Sequence, residues 1–161
     1  MHWNETQGYW NKITDPESWF ERIRNLQIPE ENECIILGNK VQEFMEIENF
    51  KLKFFILNNR GPSIKEISKD LDLSIFQIDS RIKEGKEAKE IMIDSNMRIV
   101  ITIAKKYQNQ GLDFYDLMKA GHQGLCRAIE CYNPKWMQYE FLRFAYQSIK
   151  QNIEEKIANR I

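Results

Sequence analysis

Asp113, Asp116 and His122 lie close together in the chain, and their types could serve as acid, base and orienter along one helix. No nucleophile, metal-ligand spacing or phosphate-cradling glycine loop accompanies them, and Asp113 is more simply a helix N-cap. An enzyme is therefore not expected. A second constellation is denser: Tyr132, Trp136, Tyr139, Phe141, Phe144 and Tyr146 interleave with Lys135, Arg143 and Lys150. Aromatic faces stack unpaired bases at about 1–3 kcal/mol per base, and cationic or amide groups around them take phosphates and base edges. The same rings could equally form a core, and spacing alone gives the two readings even weight. Cys34, Cys126 and Cys131 are odd in number without a CxxC pair, and His2 and His122 share no ligand-spaced partners. Neither a disulfide framework, a metal site nor a cofactor is expected.

The elements that must position these residues read as helices throughout. Asp15-Pro16-Glu17 has the form of a helix start, and a short helix should follow to about Leu26. Pro29-Glu30-Glu31 repeats the signal, and apolar residues near the 3.6-residue period predict a long helix to about Leu57, bent near Gly38. Asn58 to Pro62 ends it. Ser63-Ile64-Lys65-Glu66 is a capping box, and Ser74 begins another helix, giving a small helix-turn-helix over about residues 61–83. A DNA-reading helix is the sharper reading of that pair, but Asp70, Asp72 and Asp79 would repel phosphates and favour a structural role.

From about Gln77 the pattern runs helical to Gln108, with Gly85 a weak point costing about 1 kcal/mol against Ala. Residues 97–104 are apolar on nearly every side, so this helix should be central and buried. Asp113 or its neighbours start the next helix, which continues to Cys131. Asn133-Pro134 turns the chain, and a last helix runs from about Glu140 to Asn159. No strand-like alternation competes, so the fold class is all-α: a tail at 1–14, a core at 15–134 carrying the inserted pair, and a C-terminal segment at 135–161. Residues 15–161 read as one compact unit.

The chain has 161 residues, 42% hydrophobic and 29% charged, with only 7 Gly and 4 Pro, which excludes disordered and collagen-like classes. No apolar stretch approaches the roughly 20 residues of a membrane span, and Met1 to Trp10 lacks signal-peptide character, so a cytoplasmic protein without membrane contact is expected. Residues 1–80 carry 9 Lys+Arg and 14 Asp+Glu, whereas residues 81–161 carry 14 and 10. The mildly basic second half permits nucleic-acid contact without requiring it.

The run Glu84-Gly85-Lys86-Glu87-Ala88-Lys89-Glu90, then Ser95-Asn96-Met97-Arg98-Ile99-Val100, then Ala104 to Leu112, resembles the second conserved region of primary sigma factors. It continues without a gap through Asp116-Leu117-Met118, Gly121 and Gly124-Leu125 to Tyr132-Asn133-Pro134. Leu37-Gly38-Asn39-Lys40-Val41-Gln42 looks like the family's preceding helical region, and the Gly61-Pro62-Ser63 pair resembles the insert typical of cyanobacterial members. The similarity covers roughly residues 15–157 and leaves nothing for the family's later domains, including the reader of the −35 element.

The resemblance implies a helical domain whose segment from about Asp116 to Arg127 binds the clamp helices of the largest catalytic subunit of bacterial RNA polymerase core. Its implied docking residues are Asp113, Asp116, Leu117, Lys119, Ala120, His122, Gln123 and Arg127. The last two helices would meet promoter DNA, mainly the single-stranded non-template strand of the −10 element. Tyr132 and Phe144 match aromatics that hold a flipped adenine, Asn96 and Arg98 match an Asn-Leu-Arg motif near a second flipped base, and Gln151 matches a residue near the duplex edge. Lys105, Lys106, Lys135, Trp136, Phe141, Arg143, Tyr146, Gln147 and Lys150 complete the implied DNA-facing set.

Three departures stand out. The family's Tyr-Ala-Thr-Trp-Trp-Ile-Arg-Gln is here Phe144-Ala145-Tyr146-Gln147-Ser148-Ile149-Lys150-Gln151, so the apolar wedge is gone and spontaneous strand opening should weaken. The next turn carries Glu154 and Glu155 where Thr and Arg are usual, and two carboxylates oppose phosphate unless they pair with neighbouring bases such as Lys150. Gln-Glu-Gly-Asn becomes Lys119-Ala120-Gly121-His122, changing the charge offered to the clamp helices. Two functions remain open: a minimal sigma factor, phage-encoded or specialised, helped by an activator that replaces the missing −35 contacts; or a sigma mimic that occupies polymerase and redirects host transcription without reading promoters.

Overall fold

The computed structural model describes residues 8–137 and 140–160. Tyr139, one of the interleaved aromatics, lies outside them. Among the described residues every regular element is a helix: α1 (Pro16–Asn25), α2 (Glu31–Asn58), α3 (Ile64–Leu71), α4 (Ile75–Lys106), α5 (Phe114–Cys131), α6 (Pro134–Met137) and α7 (Phe141–Ala158). The starts of α1, α3, α4 and α5 follow side-chain caps legible in the sequence. Asp15 accepts from the Glu17 amide, Ser63 with Glu66 and Ser74 with Gln77 form reciprocal capping boxes, and Asp113 accepts from the Asp116 amide. Asn59 and Asp72 close α2 and α3 in the left-handed conformation, where a short polar side chain is tolerated.

Helix α4 is the spine. It packs on α2 along one side and on α5 along another, while α7 packs against α5. Met92, Met97, Val100, Ile103 and Ala104 of α4 meet Leu117, Leu125 and Ile129 of α5 and Phe141, Ala145, Ile149 and Ile153 of α7 in one apolar core. A satellite core of Ile47, Ile67, Leu73 and Ile78 joins α2, α3 and the start of α4. Lys89 of α4 and Glu130 of α5 pair across the main interface at 2.7 Å, both nearly buried. The Gln42 amide of α2 donates to the carbonyls of Glu130 and Tyr132 and ties α2 to the end of α5.

Both helices of the inserted pair form, and the second runs on without a break from Ser74 to Lys106. Two expectations change, at Gly85 and in the N-terminal segment. Gly85 is no weak point, because a Cβ there would collide with Phe44 and stand 3.0 Å from the Lys40 carbonyl. Gly38 marks a close approach of α2 to the chain after α5, with Pro134 Cγ 2.9 Å and Tyr132 Cε2 3.0 Å from where a Cβ would sit. Finally, residues 8–13 are not a loose tail: residues 8–11 are helical, and Trp10 is 6% exposed within the main core.

Candidate functional site

Helix α5 carries the first candidate surface. Asp113 is exposed at its cap, and the Asp116 amide donates to Asp113 Oδ1 at 2.8 Å. Asp116, Lys119, Gln123 and Arg127 recur at spacings of three and four, so they form one solvent-reaching stripe along the helix. Lys119 Nζ sits 4.6 Å above the centre of the Tyr115 ring, a cation–π contact that holds the ammonium on the surface. Leu117, Ala120 and His122, expected on the docking face, lie beneath it. Leu117 and Ala120 point into the packed interior, and the Ala120 carbonyl accepts from the buried Asn152 amide of α7 at 2.8 Å.

His122 is sealed by the N-terminal segment. Tyr9 stacks on its ring at 4.4 Å, Trp10 meets it edge-on at 5.6 Å, and Cys126 Sγ is 3.7 Å from Nε2. Burial disfavours the imidazolium and the nearby Lys89 charge adds to the effect, lowering the pKa from 6.5 to about 4. His122 is therefore neutral at physiological pH.

Helix α7 carries the second surface. Arg143, Tyr146, Gln147, Lys150 and Gln151 are exposed and recur at helical spacing. Lys106 of α4 reaches over the Tyr146 ring at 5.8 Å, so the end of α4 adds a cation to this stripe. Trp136, in α6, is 81% exposed, and Lys135 beside it is also exposed. These are the aromatics and cations that the fold brings to solvent. Tyr132 and Phe141 are not among them: both are buried, with ring centres 5.0 Å apart, and desolvation pushes the Tyr132 phenol up to about 12. Phe144 is half-buried against the main core. The even choice between stacking surface and core thus divides residue by residue.

The acidic pair has partners other than Lys150. The Tyr107 hydroxyl donates to Glu154 Oε1 at 2.6 Å, and the Gln151 amide donates to Glu155 Oε1 at 3.2 Å. Burial and the Glu154 bond raise the Tyr107 phenol to about 12. Of the two residues that replace the tryptophan pair, Gln147 is exposed, whereas Ser148 Oγ donates inward to the Gly124 carbonyl at 2.7 Å.

A third region joins α1 and α4. Asn96 is fully buried, its amide nitrogen donating to the Met92 carbonyl at 2.7 Å and its Oδ1 finding no partner among the described residues. Arg98, two residues on and so on the opposite side of the helix, is exposed and donates to the Arg24 carbonyl at 2.9 Å. It lines a cavity of about 470 Å³ with Phe20, Arg24, Ile101, Thr102 and Lys105. Three cations and one aromatic ring suit an anion or a base with its phosphate. Phe20 and Arg24 were not expected here; only the packing of α1 on α4 brings them to Arg98 and Lys105. Among the described residues no group of His, Cys, Asp or Glu is arranged to hold a metal ion, and no helix is long and apolar enough to cross a membrane.

No protein-family model matches the chain. Individual relatives do. RNA polymerase sigma factor SigA2 of Synechococcus elongatus is 34% identical over 139 residues, which is 86% of this chain. SigA of Nostoc is 35% identical over a stretch of the same length, and the chloroplastic sigma factor sigF of Arabidopsis thaliana is 34% identical over 139 residues. The chain spans 42%, 35% and 25% of those three relatives' own lengths. The chain belongs to the sigma-70 family of RNA polymerase sigma factors. Within that family it is of the cyanobacterial type.

Proposed function

We propose that the protein is a transcription initiation factor that docks on bacterial RNA polymerase core through α5 and contacts the non-template strand of the −10 element through α6, α7 and the end of α4. The observation that carries this reading is the placement of two stripes on neighbouring helices. The polar stripe Asp116, Lys119, Gln123 and Arg127 lies on α5, and the cationic and aromatic stripe of Arg143, Tyr146, Lys150 and Gln151 lies on α7, which packs directly on α5. A partner held on one is thereby held in fixed register with a strand on the other. The role is non-enzymatic: the clamp helices of the largest polymerase subunit take the α5 stripe, and the protein supplies binding and orientation.

On the strand side, Trp136 and Tyr146 offer the exposed faces for stacking, worth about 1–3 kcal/mol per base, with Lys106, Arg143 and Lys150 to meet phosphates. Arg98, Lys105 and Arg24 around Phe20 form a second place for a nucleotide, between α1 and α4. The inward Ser148 leaves Gln147 alone at the wedge position, and an amide does not unstack a base pair as an indole does. The factor would therefore act on a strand already opened, or with an activator that supplies upstream contacts.

A second reading is favoured by the buried Tyr132 and Phe141 and by the carboxylates of Glu154 and Glu155: a polymerase-binding mimic that does not read promoters. One experiment separates them. The purified chain is mixed with core polymerase and a template whose −10 region is pre-melted. The initiation factor increases the affinity of the complex for the non-template strand. A complex that forms without that gain leaves the mimic.

A further inference from the structure

The face of α5 that the proposed function assigns to polymerase is covered on one side by the chain's own N-terminal segment. Trp10 touches His122 at 5.6 Å and Tyr115 at 5.6 Å, two α5 residues that flank Lys119 in sequence. Tyr115 in turn carries the Lys119 ammonium. Tyr9 completes the cover by stacking on the His122 imidazole. The segment therefore abuts the polar stripe and buries the one position, His122, that the family resemblance places on the docking face and that has neither the apolar character of Leu117 nor the small size of Ala120.

The attachment is made almost wholly by side chains. The Tyr9 hydroxyl donates to Asp94 Oδ1 at 3.1 Å and accepts from Trp19 Nε1 at 3.2 Å. The backbone bonds from the Lys12 amide to the Tyr9 carbonyl and from the Ile13 amide to the Trp10 carbonyl close within the segment. It can accordingly lift about the non-helical residues before Pro16, and so short a helical segment, once off the core, leaves those amides open to exchange. Two features show that its fit is incomplete. The Trp10 indole N–H is buried with no hydrogen-bond partner among the described residues, a state that binding to water or to another acceptor would relieve. A cavity of about 380 Å³ lies alongside, between Tyr9, Ile13, Asp15, Trp19 and Asp94.

We infer that residues 8–13 are a displaceable cover on the polymerase-docking face of α5, closed in the free protein and lifted when polymerase core binds. The inference rests on the α5 docking reading and adds a regulated step to it. Because only the uncovered fraction is competent, the apparent dissociation constant is the intrinsic one divided by that fraction. Weakening the cover should then tighten binding rather than loosen it.

The test uses the full chain and core polymerase. Backbone hydrogen exchange is followed in the free protein and in the complex, and binding is measured for the unaltered chain and for Trp10→Ala. Exchange of residues 8–13 should accelerate in the complex while exchange of Asp113–Arg127 slows, and Trp10→Ala should bind about threefold or more tighter. The inference is overturned if residues 8–13 stay as protected in the complex as in the free chain, or if a folded Trp10→Ala binds no tighter. Should circular dichroism show that variant unfolded, exchange in the unaltered chain decides alone. Failure of both chains to bind polymerase removes the docking reading and this inference with it; binding with an unmoved cover removes only the inference.

Discussion

Replacing Gly124 by Ala should separate α5 from α7 and destabilise the protein by about 2–4 kcal/mol. A Cβ at this position would stand 2.6 Å from the Ser148 carbonyl oxygen and 2.8 Å from Ile149 Cα, all backbone atoms of the facing helix that no rotamer change can move. Ordinary contact requires the helices to part by about 1 Å, an overpacking that costs roughly 1–3 kcal/mol. Parting also stretches two inter-helix bonds, Ser148 Oγ to the Gly124 carbonyl and the Asn152 amide to the Ala120 carbonyl, each contributing about 1 kcal/mol. The better helix propensity of Ala returns about 1 kcal/mol. Urea unfolding followed by circular dichroism reads the difference: with a slope of about 2 kcal/mol/M, the midpoint should fall by about 1–2 M at unchanged slope. Gly61→Ala is the control, since a Cβ there meets nothing within 4 Å, and its effect should stay within about 0.5 kcal/mol. A Gly124→Ala protein as stable as the unaltered chain would refute the close crossing, and with it the fixed register between the two stripes.

Three further outcomes follow from named contacts. Glu130→Ala removes the carboxylate 2.7 Å from the nearly buried Lys89 ammonium and should cost about 3 kcal/mol or more in chemical denaturation, whereas Lys89→Met with Glu130→Leu should recover most of it; an undiminished single variant would contradict the pair's role. Because the folded pKa of His122 is about 4 against an ordinary 6.5, the unfolded chain binds the extra proton first. Stability is intact above pH 6.5 and falls by about 3 kcal/mol as pH drops through the window to 4; thermal melts of His122→Gln should lose that part of the pH dependence, and identical profiles would show that His122 is not sealed. Lys119→Glu should weaken binding to polymerase core by about tenfold while Lys65→Glu, on the exposed face of α3, changes it less than twofold; equal losses in a binding titration would take Lys119 out of the interface.

Much of the scaffold was legible because helix starts are local events. Asp15-Pro16, Ser63 with Glu66, Ser74 with Gln77 and Asp113 each announce a start within four residues, and all four cap the helices expected. The apolar stretch around Met97 to Ala104 likewise revealed a central helix. What stayed hidden depends on pieces of chain far apart in sequence. Gly85 and Gly38 look like helix breakers until Phe44 and Tyr132 are seen pressed against them. The aromatics from Tyr132 onward could not be divided between core and surface, since the turn at Pro134 resets the helical phase between them: Tyr132 before it and Phe141 after it fall inward, Trp136 and Tyr146 outward. Tyr9 and Trp10 carry no periodic signal at all, and only the tertiary fold shows them capping His122. The cavity of Arg24, Arg98 and Lys105 was half visible, in the resemblance around Arg98, and half supplied by α1.

The central claim is that the polar stripe of α5 is a docking surface for RNA polymerase. Its most direct measurement is sedimentation of the chain with complete core polymerase at low salt, with hydrogen exchange read across α5 in the resulting fraction. Co-sedimentation in equal proportion, with exchange slowed over Asp113–Arg127, is the expected result. A chain that sediments alone, or that binds while α5 exchanges as it does free, contradicts the account.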